Sequence, residues 1–458
     1  MTVVLSNRGP YRYDEGPGGE LVARPGAGGL ASSLGPLLLS GAAGAHSAWI
    51  AAALSDGDRA AVRTGAVRAP GVQLRLLDLD AHMFRLAYEV VSNGTLWFLY
   101  HGLFDLTRRP RFDRRWREAW DAYEAVNVAF TDATAELARE GDVVLVQDMH
   151  LALVPGMLRA RRPDLRLTHF THTPFCGPNS IRVLPAYAAT ALCESMTSVP
   201  CGFHARRWAQ AYEASAREVL GDGTSAPTFV AALGPDPDAL TQLAASDSAR
   251  SAAAELDSVV GDRALVLRVD RIDPSKNIVR GFLAYDLLLE RHPEWRERVV
   301  FVARLNASRE ALAEYQAYRQ EVETAADHVN ERWATSGWTP IVLDAQDDYP
   351  RTVAAMARYD VLIVNAIKDG LNLVAKEGPL VNRRDGVLCL SPDTGAWDDL
   401  GIGALAMHPF DLEQAADAMY VALEMPVEER AARAGKLRAL AAARTPKTWF
   451  DDQLTEAR

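Results

Sequence analysis

Short apolar runs rich in β-branched residues recur along this chain, and longer segments with apolar positions at helical spacing separate them. The runs have the length of strands, and their continuous hydrophobicity is typical of strands buried on both faces. Eight strands are predicted at Thr2 to Leu5, Val143 to Val146, Leu165 to Phe170, Ala264 to Val269, Val299 to Ala303, Pro340 to Leu343, Val361 to Val364 and Gly386 to Leu390. The segments between them, such as "SREALAEYQAYRQEVETAADHVNERW", are rich in strong helix formers. This alternation predicts an α/β fold with doubly wound parallel sheets.

The pattern is interrupted near Gly234, where glycine and proline cluster in "LGPDPDAL". The 458 residues exceed one typical core and suit two domains of roughly 200 residues each. We predict Rossmann-like domains at 1–234 and 235–443. The remaining tail, 444–458, has helical composition, and its Trp449 and Phe450 need an apolar surface, so we expect it to pack back on the first domain.

Composition narrows the class of protein. A formal net charge of -11 argues against nucleic acid or an anionic membrane as a general partner, because both select basic surfaces. Four cysteines without metal-ligand spacing are typical of a reducing compartment. The start "MTVVLSNRG" shows no leader pattern, and no apolar run is long enough to span a membrane, so we expect a soluble cytoplasmic protein. Self-association stays open.

Residues at predicted strand ends carry the most information, because ligands of open parallel sheets bind beyond the carboxyl ends of the strands. The strand Ala264 to Val269 is followed by "DRIDPSKN". Its Arg271 and Lys276 could hold a diphosphate between two cations, although a pair of solvated surface charges explains them equally well.

The second informative pattern is "IKDGLNLVAKEG", which follows the strand Val361 to Val364. Gly370 permits close approach of backbone to a phosphate, and the N–H groups from Leu371 to Val374 open a predicted helix whose positive end favours anions. Asp369 could bind sugar hydroxyls, and Glu377, about two turns along, could bind a ribose diol. Together with the cationic loop, this pattern predicts a nucleotide-sugar site.

Two further candidate positions are weaker. After the first strand, Arg8 and the glycines Gly28 and Gly29 could meet anions, or they form an ordinary surface loop. Ser308 is predicted to cap a helix, which would place Arg309 at the positive helix end. An anion there would relieve the charge conflict, and a solvated arginine is the alternative.

Histidines and acids also follow strands in "LVQDMHL" and "THFTHTPF", where Asp148, His150 and His172 lie. A lone histidine at such a position is more often structural than catalytic. No zinc spacing, hydrolase elbow, Walker loop or dinucleotide fingerprint stands after a predicted strand, so hydrolase, NTPase and dehydrogenase functions lose support. We expect no metal and no cofactor.

In combination, these landmarks resemble the trehalose-6-phosphate synthase family, whose members are retaining glycosyltransferases with two Rossmann-like domains facing across a cleft, the GT-B architecture. The matching segments, in chain order, are "SNR" with "GG", "YEVVSNGTLW", "QDMHL", "HTPF", "DRIDPSKN", "SREALAEYQ", "GWTP" and "DGLNLVAKE". The resemblance covers nearly the full length. It implies transfer of glucose from a nucleotide-glucose to glucose 6-phosphate, so both substrates would be small molecules.

The resemblance also implies roles for individual residues. The first domain would bind the acceptor and the second the donor. The catalytic set would be Arg271, Lys276, Asp369 and His172. The donor would also be bound by Arg271, Lys276, His172, Asp369, Gly29, Gly370, Leu371, Asn372, Leu373, Val374 and Glu377. The acceptor would be bound by Arg8, Tyr88, Trp97, Asp148 and Arg309.

The expected chemistry follows from charge. Departure of a nucleoside diphosphate builds negative charge, which Arg271, Lys276 and the helix start would stabilise without a metal ion. Because these patterns offer no obvious carboxylate nucleophile, we expect front-face attack by the acceptor with the leaving phosphate as base.

The chain departs from the family pattern in places, and one departure affects donor choice. Lys368 stands where the family often has an arginine. After "GWTP", the chain carries Asp344, Asp347 and Asp348, of which Asp347 and Asp348 are our candidates for nucleobase contacts. Guanine offers a paired N–H edge to a carboxylate, whereas uracil offers one N–H flanked by acceptors, so we favour GDP-glucose over UDP-glucose. A solvated acidic loop is the alternative.

Two other functions stay open. Pseudo-glycosyltransferases of the same family couple a nucleotide-activated cyclitol to an aminocyclitol phosphate, and a non-catalytic protein could bind a sugar phosphate. The presence of Tyr88, Trp97, Asp148 and Arg309 favours ordinary glucose 6-phosphate recognition.

Overall fold

The computed structural model describes residues 1–16, 18–26, 29–39 and 47–457, which form two compact units. Unit 1 comprises Met1–Ala232 and Pro446–Arg458, and unit 2 comprises Leu233–Thr445. The last helix of the chain therefore belongs to unit 1.

The described residues of unit 1 form nine strands, seven of which make one parallel sheet. The strands are β1 (Thr2–Leu5), β2 (Tyr11–Glu15), β3 (Leu21–Pro25), β4 (Ser47–Ala52), β5 (Gln73–Leu77), β6 (Val143–Gln147), β7 (Arg166–Thr171), β8 (Cys201–Phe203) and β9 (Thr228–Val230). The sheet order is β5-β4-β1-β6-β7-β8-β9, and β2 and β3 form a separate antiparallel pair. Because β1 lies inside the sheet between β4 and β6, the loop after it opens beside the loop after β6.

The helices of unit 1 connect and cover these strands. They are α1 (Gly29–Leu39), α2 (Asp56–Arg63), α3 (Ala81–Arg85), α4 (Trp97–His101), α5 (Arg114–Leu137), α6 (Val154–Arg161), α7 (Pro178–Ile181), α8 (Ala186–Thr197) and α9 (Arg206–Leu220). A π-helix, Leu86–Leu96, lies between α3 and α4, and a 3-10 helix, Met149–Leu151, follows β6.

Unit 2 is built on one six-stranded parallel sheet. Its strands are β10 (Ala264–Arg271), β11 (Val299–Asn306), β12 (Ile341–Asp344), β13 (Val361–Val364), β14 (Val387–Leu390) and β15 (Leu405–Ala406). The order is β12-β11-β10-β13-β14-β15, so the chain reverses its direction of travel between β10 and β13. In open α/β sheets this switch point is where ligands bind.

The helices of unit 2 cover both faces of the sheet. They are α10 (Pro237–Ala244), α11 (Asp247–Val260), α12 (Ile278–Arg291), α13 (Ala313–Trp333), α14 (Tyr349–Arg358), α15 (Val374–Val381), α16 (Ala396–Leu400), α17 (Leu412–Glu424) and α18 (Val427–Ala442). Two 3-10 helices, Pro274–Lys276 and Pro293–Trp295, flank α12, and α19 (Pro446–Glu456) returns to unit 1.

Alternating side chains of the unit 2 strands enter two separate cores. In β10, Val266 joins the core on one face of the sheet, and Leu265 and Leu267 join the core on the other face. This follows from the two-residue period of a strand, and it explains why the strand is apolar at consecutive positions. The predicted α/β class with doubly wound parallel sheets is confirmed.

Candidate active site

Lys276 and Asp369 meet at the carboxyl end of the unit 2 sheet. The 3-10 helix Pro274–Lys276 follows β10, and Asp273 begins it by accepting the Ser275 N–H at 2.9 Å. Lys276 Nζ forms an ion pair with Asp369 Oδ2, and both side chains are largely buried. The structure thus brings two candidates from separate loops into one site at the switch point.

The loop before α15 presents backbone donors. Asn372 has a left-handed φ of 78°, and its side chain caps the helix by accepting the Ala375 N–H at 3.1 Å. None of the described residues accepts a hydrogen bond from the N–H groups of Asn372, Leu373 and Val374. Consecutive unbonded N–H groups at a helix start are suited to binding phosphate.

The first half of this loop is held internally. The Leu371 N–H donates to Asp369 Oδ1 at 3.4 Å, so it is not one of the unbonded donors that the sequence predicted. A Cβ added to Gly395 would lie 2.0 Å from the Gly370 carbonyl oxygen. The close approach of Gly395 therefore fixes the backbone that carries the candidates.

Arg271 and Glu377 flank this centre. Arg271 is the last residue of β10, and its side chain is exposed. Glu377 lies in the first turn of α15, where it accepts a hydrogen bond from the Tyr349 hydroxyl at 3.2 Å. Burial raises the pKa of Glu377 to about 7, and the hydrogen bond from Tyr349 opposes this rise.

Two of the three acids near the candidate nucleobase site already have structural roles. Asp344 forms an ion pair with the buried Arg304 guanidinium at 2.7 Å, and Asp348 caps α14 by accepting a backbone N–H at 3.0 Å. Asp347 is exposed and accepts a hydrogen bond from Asn306 Nδ2 at 2.9 Å through one carboxylate oxygen. Of the three acids, Asp347 is therefore the remaining candidate to bind the N–H edge of guanine.

The predicted helix cap at Ser308 is wrong. The helix α13 begins only at Ala313, and Arg309 precedes it with a left-handed φ of 46°. Arg309 Nη1 contacts Asp273 Oδ2 at 2.7 Å and the Tyr315 hydroxyl at 2.9 Å. The ion pair with a fully buried carboxylate holds Arg309 outside the helix, so the predicted conflict with the helix dipole does not arise.

In unit 1, Asp148 and two histidines form a cluster after β6 and β7. Asp148 has a left-handed φ of 69° and lies 3.6 Å from His150 Nδ1. It also accepts the His172 N–H at 3.3 Å. Burial favours a raised pKa for Asp148, but the neighbouring His150 holds this pKa well below its usual range. Asp148 is therefore an ionised acceptor.

Aromatic rings extend the cluster. Tyr88, in the π-helix Leu86–Leu96, stacks on the His150 ring with a centroid distance of 5.5 Å. Trp97 begins α4 and stacks on His101 at 4.0 Å. Tyr88 is thus linked to Asp148 by His150, which lies between them. The sequence analysis gave His150 no role in the site.

His172 is engaged at both ring nitrogens. Its Nε2 lies 3.0 Å from Gln147 Oε1, and its Nδ1 lies 3.2 Å from His204 Nε2. Burial lowers the pKa of His172, and the charge of Asp148 opposes this effect. A neutral imidazole with both nitrogens occupied is poorly suited to transferring a proton to a substrate.

The remaining candidates of unit 1 lie in loops after β1 and β3. Arg8 is exposed, and its carbonyl oxygen accepts the Ser6 hydroxyl at 2.6 Å, which fixes the turn. Gly29 is the first residue of α1 and is also exposed. Gly28 lies outside the described residues.

Comparisons with known proteins cover the whole chain. The family model described as "Glycosyltransferase family 20" matches residues 2–458. The chain belongs to this family. It is 33% identical over 484 residues to the trehalose-6-phosphate synthase of Mycobacterium marinum, an alignment that covers 100% of the chain and 94% of that relative. The resemblance to the trehalose-6-phosphate synthase family is therefore confirmed, and the chain is a glycosyltransferase.

Two similar solved structures carry ligands. One is described as "Trehalose-6-phosphate from E. coli bound with UDP-2-fluoro glucose", with a TM-score of 0.85, 26% identity and coverage of 99% of this chain and 98% of that one. The other is a UDP-forming α,α-trehalose-phosphate synthase from Burkholderia xenovorans in complex with glucose-6-phosphate, with a TM-score of 0.84, 26% identity and 99% coverage of both chains. The predicted GT-B fold class is confirmed, whereas the predicted preference for GDP-glucose is not.

Sequence reasoning missed several residues of this family 20 site. Arg268 is fully buried and donates to the Lys276 carbonyl oxygen at 3.0 Å from inside the sheet. Gln147 and His204 hold the His172 ring, and Tyr349 contacts Glu377. The signal of Arg268 and Gln147 was a polar residue inside an apolar run, in "VLRV" and "VLVQ", which a search restricted to strand ends overlooks. His204 and Tyr349 had no such signal.

Two negative findings apply to the described residues only. No group of three or more His, Cys, Asp or Glu side chains is placed to hold a metal ion in residues 1–16, 18–26, 29–39 and 47–457. Over the same residues, no helix is long and apolar enough to cross a membrane.

Proposed function

We propose that this protein is an α,α-trehalose-6-phosphate synthase that transfers glucose from a nucleotide-glucose to glucose 6-phosphate with retention at the donor carbon. The observation that carries the proposal is the unit 2 centre, where Lys276 and Asp369 pair beside the unbonded N–H groups of residues 372–374. This centre joins a cation and a helix start, which suit a diphosphate, to a carboxylate, which suits sugar hydroxyls.

Each candidate donor-binding residue would contact one part of the nucleotide-glucose. Arg271, Lys276 and the N–H groups of residues 372–374 would hold the diphosphate, and Gly29 would also contact it. Asp369 would turn from Lys276 to the sugar hydroxyls once phosphate oxygens replace it as the partner of Lys276. The backbone from Gly370 would face the donor. The Glu377 carboxylate would accept hydrogen bonds from the two ribose hydroxyls.

Acceptor binding would use the unit 1 cluster. The ionised Asp148 would accept hydrogen bonds from sugar hydroxyls, Trp97 would line the sugar pocket, and Tyr88 would contact the 6-phosphate. Arg8 and Arg309 would bind the 6-phosphate, with Arg309 held in place by Asp273. His172 would face the donor sugar, with its ring held by Gln147 and His204.

The reaction balances without a protein nucleophile. The anomeric hydroxyl oxygen of the acceptor forms a bond to donor C1 as the bond from C1 to the diphosphate oxygen breaks, and the hydroxyl proton passes to the leaving phosphate. Arg271 and Lys276 stabilise the charge that develops on this phosphate. The protein itself supplies this positive charge, so we propose that turnover persists in a chelator.

UDP-glucose is the donor that we propose, because the Burkholderia xenovorans relative is described as UDP-forming and because two of the three acids that favoured guanine have structural partners. The test incubates the purified protein with glucose 6-phosphate and either UDP-glucose or GDP-glucose. Nucleotide release, product mass and the anomeric configuration by NMR are measured. Faster formation of trehalose 6-phosphate from UDP-glucose is the expected result, and no disaccharide phosphate from either donor would contradict the proposal.

A charge-removing variant tests the role of the unit 2 centre. Lys276→Ala should lower kcat/KM by roughly 10² to 10³-fold, the usual cost of removing one group that stabilises a transition-state anion. Lys436→Ala removes an exposed lysine from α18 of the same unit and serves as the matched control. Equal rates in the two variants would exclude Lys276 from leaving-group stabilisation.

A further inference from the structure

A chain of four side chains runs through the interior of unit 1, from the C-terminal helix α19 to the sheet. Gln147 Nε2 donates to Gln453 Oε1 at 2.8 Å, Gln147 Oε1 lies 3.0 Å from His172 Nε2, and His172 Nδ1 lies 3.2 Å from His204 Nε2. Gln453 and Gln147 are separated by 306 positions in the sequence and are both fully buried. We refer to Gln453, Gln147, His172 and His204 as the amide–imidazole chain.

A glutamine at position 453 is unexpected, because this position lies on the buried face of α19. The other buried residues of α19 are Pro446, Trp449 and Phe450, so an apolar side chain at position 453 would complete the face. Burying an amide costs about 1–3 kcal/mol unless it is hydrogen-bonded. No described residue accepts from Gln453 Nε2, so the contact through Oε1 to Gln147 is what offsets this cost.

The direction of donation along the amide–imidazole chain follows from the chemistry of each group. An amide nitrogen can only donate and an amide oxygen can only accept. Since Gln147 gives its N–H to Gln453, it presents its oxygen to His172, and that oxygen requires a proton on His172 Nε2. A neutral imidazole then has Nδ1 as an acceptor, which His204 satisfies from Nε2.

We propose that Gln453 is a positioning residue that acts through Gln147 to hold His172 as the neutral Nε2–H tautomer in one ring orientation. The Trp449 ring, also on α19, lies 5.5 Å from the His172 ring and limits its rotation from another side. The backbone N–H of His172 donates to Asp148 at 3.3 Å, so the same residue links α19 to the acidic centre of unit 1.

The tautomer is testable without turnover. In protein labelled with ¹⁵N-histidine, long-range ¹H–¹⁵N correlations distinguish a protonated ring nitrogen from an unprotonated one. The His172 signals are assigned by their loss in His172→Gln. The wild type should show the Nε2–H tautomer, and Gln453→Met, similar in volume but without the acceptor oxygen, should give a mixture of tautomers. Gln453→Glu, which keeps an acceptor oxygen, should restore the wild-type pattern.

The effect on catalysis rests on the proposed function and is measured separately. Gln453→Met should lower kcat by roughly tenfold to a hundredfold, the cost of a misplaced contact. The KM for the nucleotide-sugar should stay near the wild-type value, because most of the proposed nucleotide contacts lie in unit 2. Gln453→Glu should recover most of kcat. Thr455→Val on the exposed side of α19 is the matched control, and circular dichroism and the melting temperature establish that each variant folds.

The outcomes separate the two parts of the inference. An Nδ1–H tautomer in the wild type, or an unchanged Nε2–H tautomer in a folded Gln453→Met protein, would overturn the positioning role itself. A changed tautomer with unchanged kcat would overturn the link to catalysis. If the wild type shows the expected tautomer but transfers no glucose to glucose 6-phosphate, the result would instead contradict the proposed function.

Discussion

At the scale of single residues, Glu377 has a pKa near neutrality because α15 and Tyr349 bury a carboxylate that remains hydrogen-bonded. Its pKa of about 7 lies above the ordinary value of 4.5, so the folded protein binds the proton more tightly than the unfolded chain does. This group therefore stabilises the fold fully below about pH 4.5, and that contribution is lost as the pH rises through about 7.

Urea unfolding of the wild type and Glu377→Gln across this pH range tests the assignment. The stability of the wild type relative to the variant should fall as the pH rises, by up to about 3 kcal/mol, because Gln does not titrate. A difference that stays constant with pH would show that folding leaves the pKa of Glu377 unshifted.

Asp347 is the remaining candidate among the three acids for a contact with guanine. It is exposed and binds Asn306 through one carboxylate oxygen. If the base is uracil, Asp347→Asn should leave kcat/KM for UDP-glucose within about twofold, because an exposed side chain contributes little. Asp262→Asn, at an exposed turn of the same unit, is the control. A selective loss of about tenfold with GDP-glucose would restore guanine recognition, since a buried hydrogen bond to a charged group is worth about 1.5–3 kcal/mol.

At the scale of elements, the turn that carries Lys276 depends on an unusual residue. Asn277 has a left-handed φ of 61°, and its side chain donates to the carbonyl oxygens of Asn365 at 3.0 Å and Pro409 at 2.6 Å. Arg268 donates to the Lys276 carbonyl oxygen from the other side. The backbone around Lys276 is thus fixed from the interior of unit 2.

Substitutions at Asn277 separate conformation from tethering. Asn277→Gly keeps the left-handed φ but removes three side-chain hydrogen bonds, two donated to carbonyl oxygens and one accepted from Arg280. This loss should cost about 1–3 kcal/mol of unfolding free energy. Asn277→Ala should cost about 1 kcal/mol more, because alanine is strained at this φ. Urea unfolding measures the order, and equal stability of the two variants would mean that the turn relaxes to another conformation.

The elements that the sequence predicted correctly are those with strong continuous apolar runs, such as β1, β10 and β13. The strand β4 was missed because "SAWIAA" is rich in alanine, which is a helix former, and β8 was missed because it has only three residues. The start of α13 was misplaced because the ion pair of Arg309 with Asp273, a tertiary contact, overrides the local capping signal at Ser308.

The candidate site shows the same division. Residues in one loop, such as Asp369 and Val374, were predictable from the sequence because backbone geometry links them. The contact of Gln453 with Gln147 was not, because it joins an isolated polar residue on the last helix to the end of a buried strand, and neither has a local pattern. The only sequence signal of such a long-range hydrogen bond is a single polar residue among apolar ones.

At the scale of the whole molecule, the chain completes unit 1 with its last helix. Trp449 is fully buried, and its ring meets Phe170 of β7 edge-on at 5.1 Å and His172 at 5.5 Å. Unit 1 therefore has a core that is finished only after unit 2 has been synthesised. This makes the stability of unit 1 dependent on a helix that follows unit 2 in sequence.

Trp449→Ala should destabilise unit 1 by about 3–5 kcal/mol, the usual cost of removing a buried aromatic side chain. Lys447→Ala, an exposed change on the same helix, is the control. Calorimetry should show a lower transition temperature for unit 1 and an unchanged transition for unit 2, because Trp449 belongs to unit 1 alone. If both transitions fell together, the two units would unfold as one cooperative body, and the last helix would stabilise the whole chain rather than the unit on which it packs.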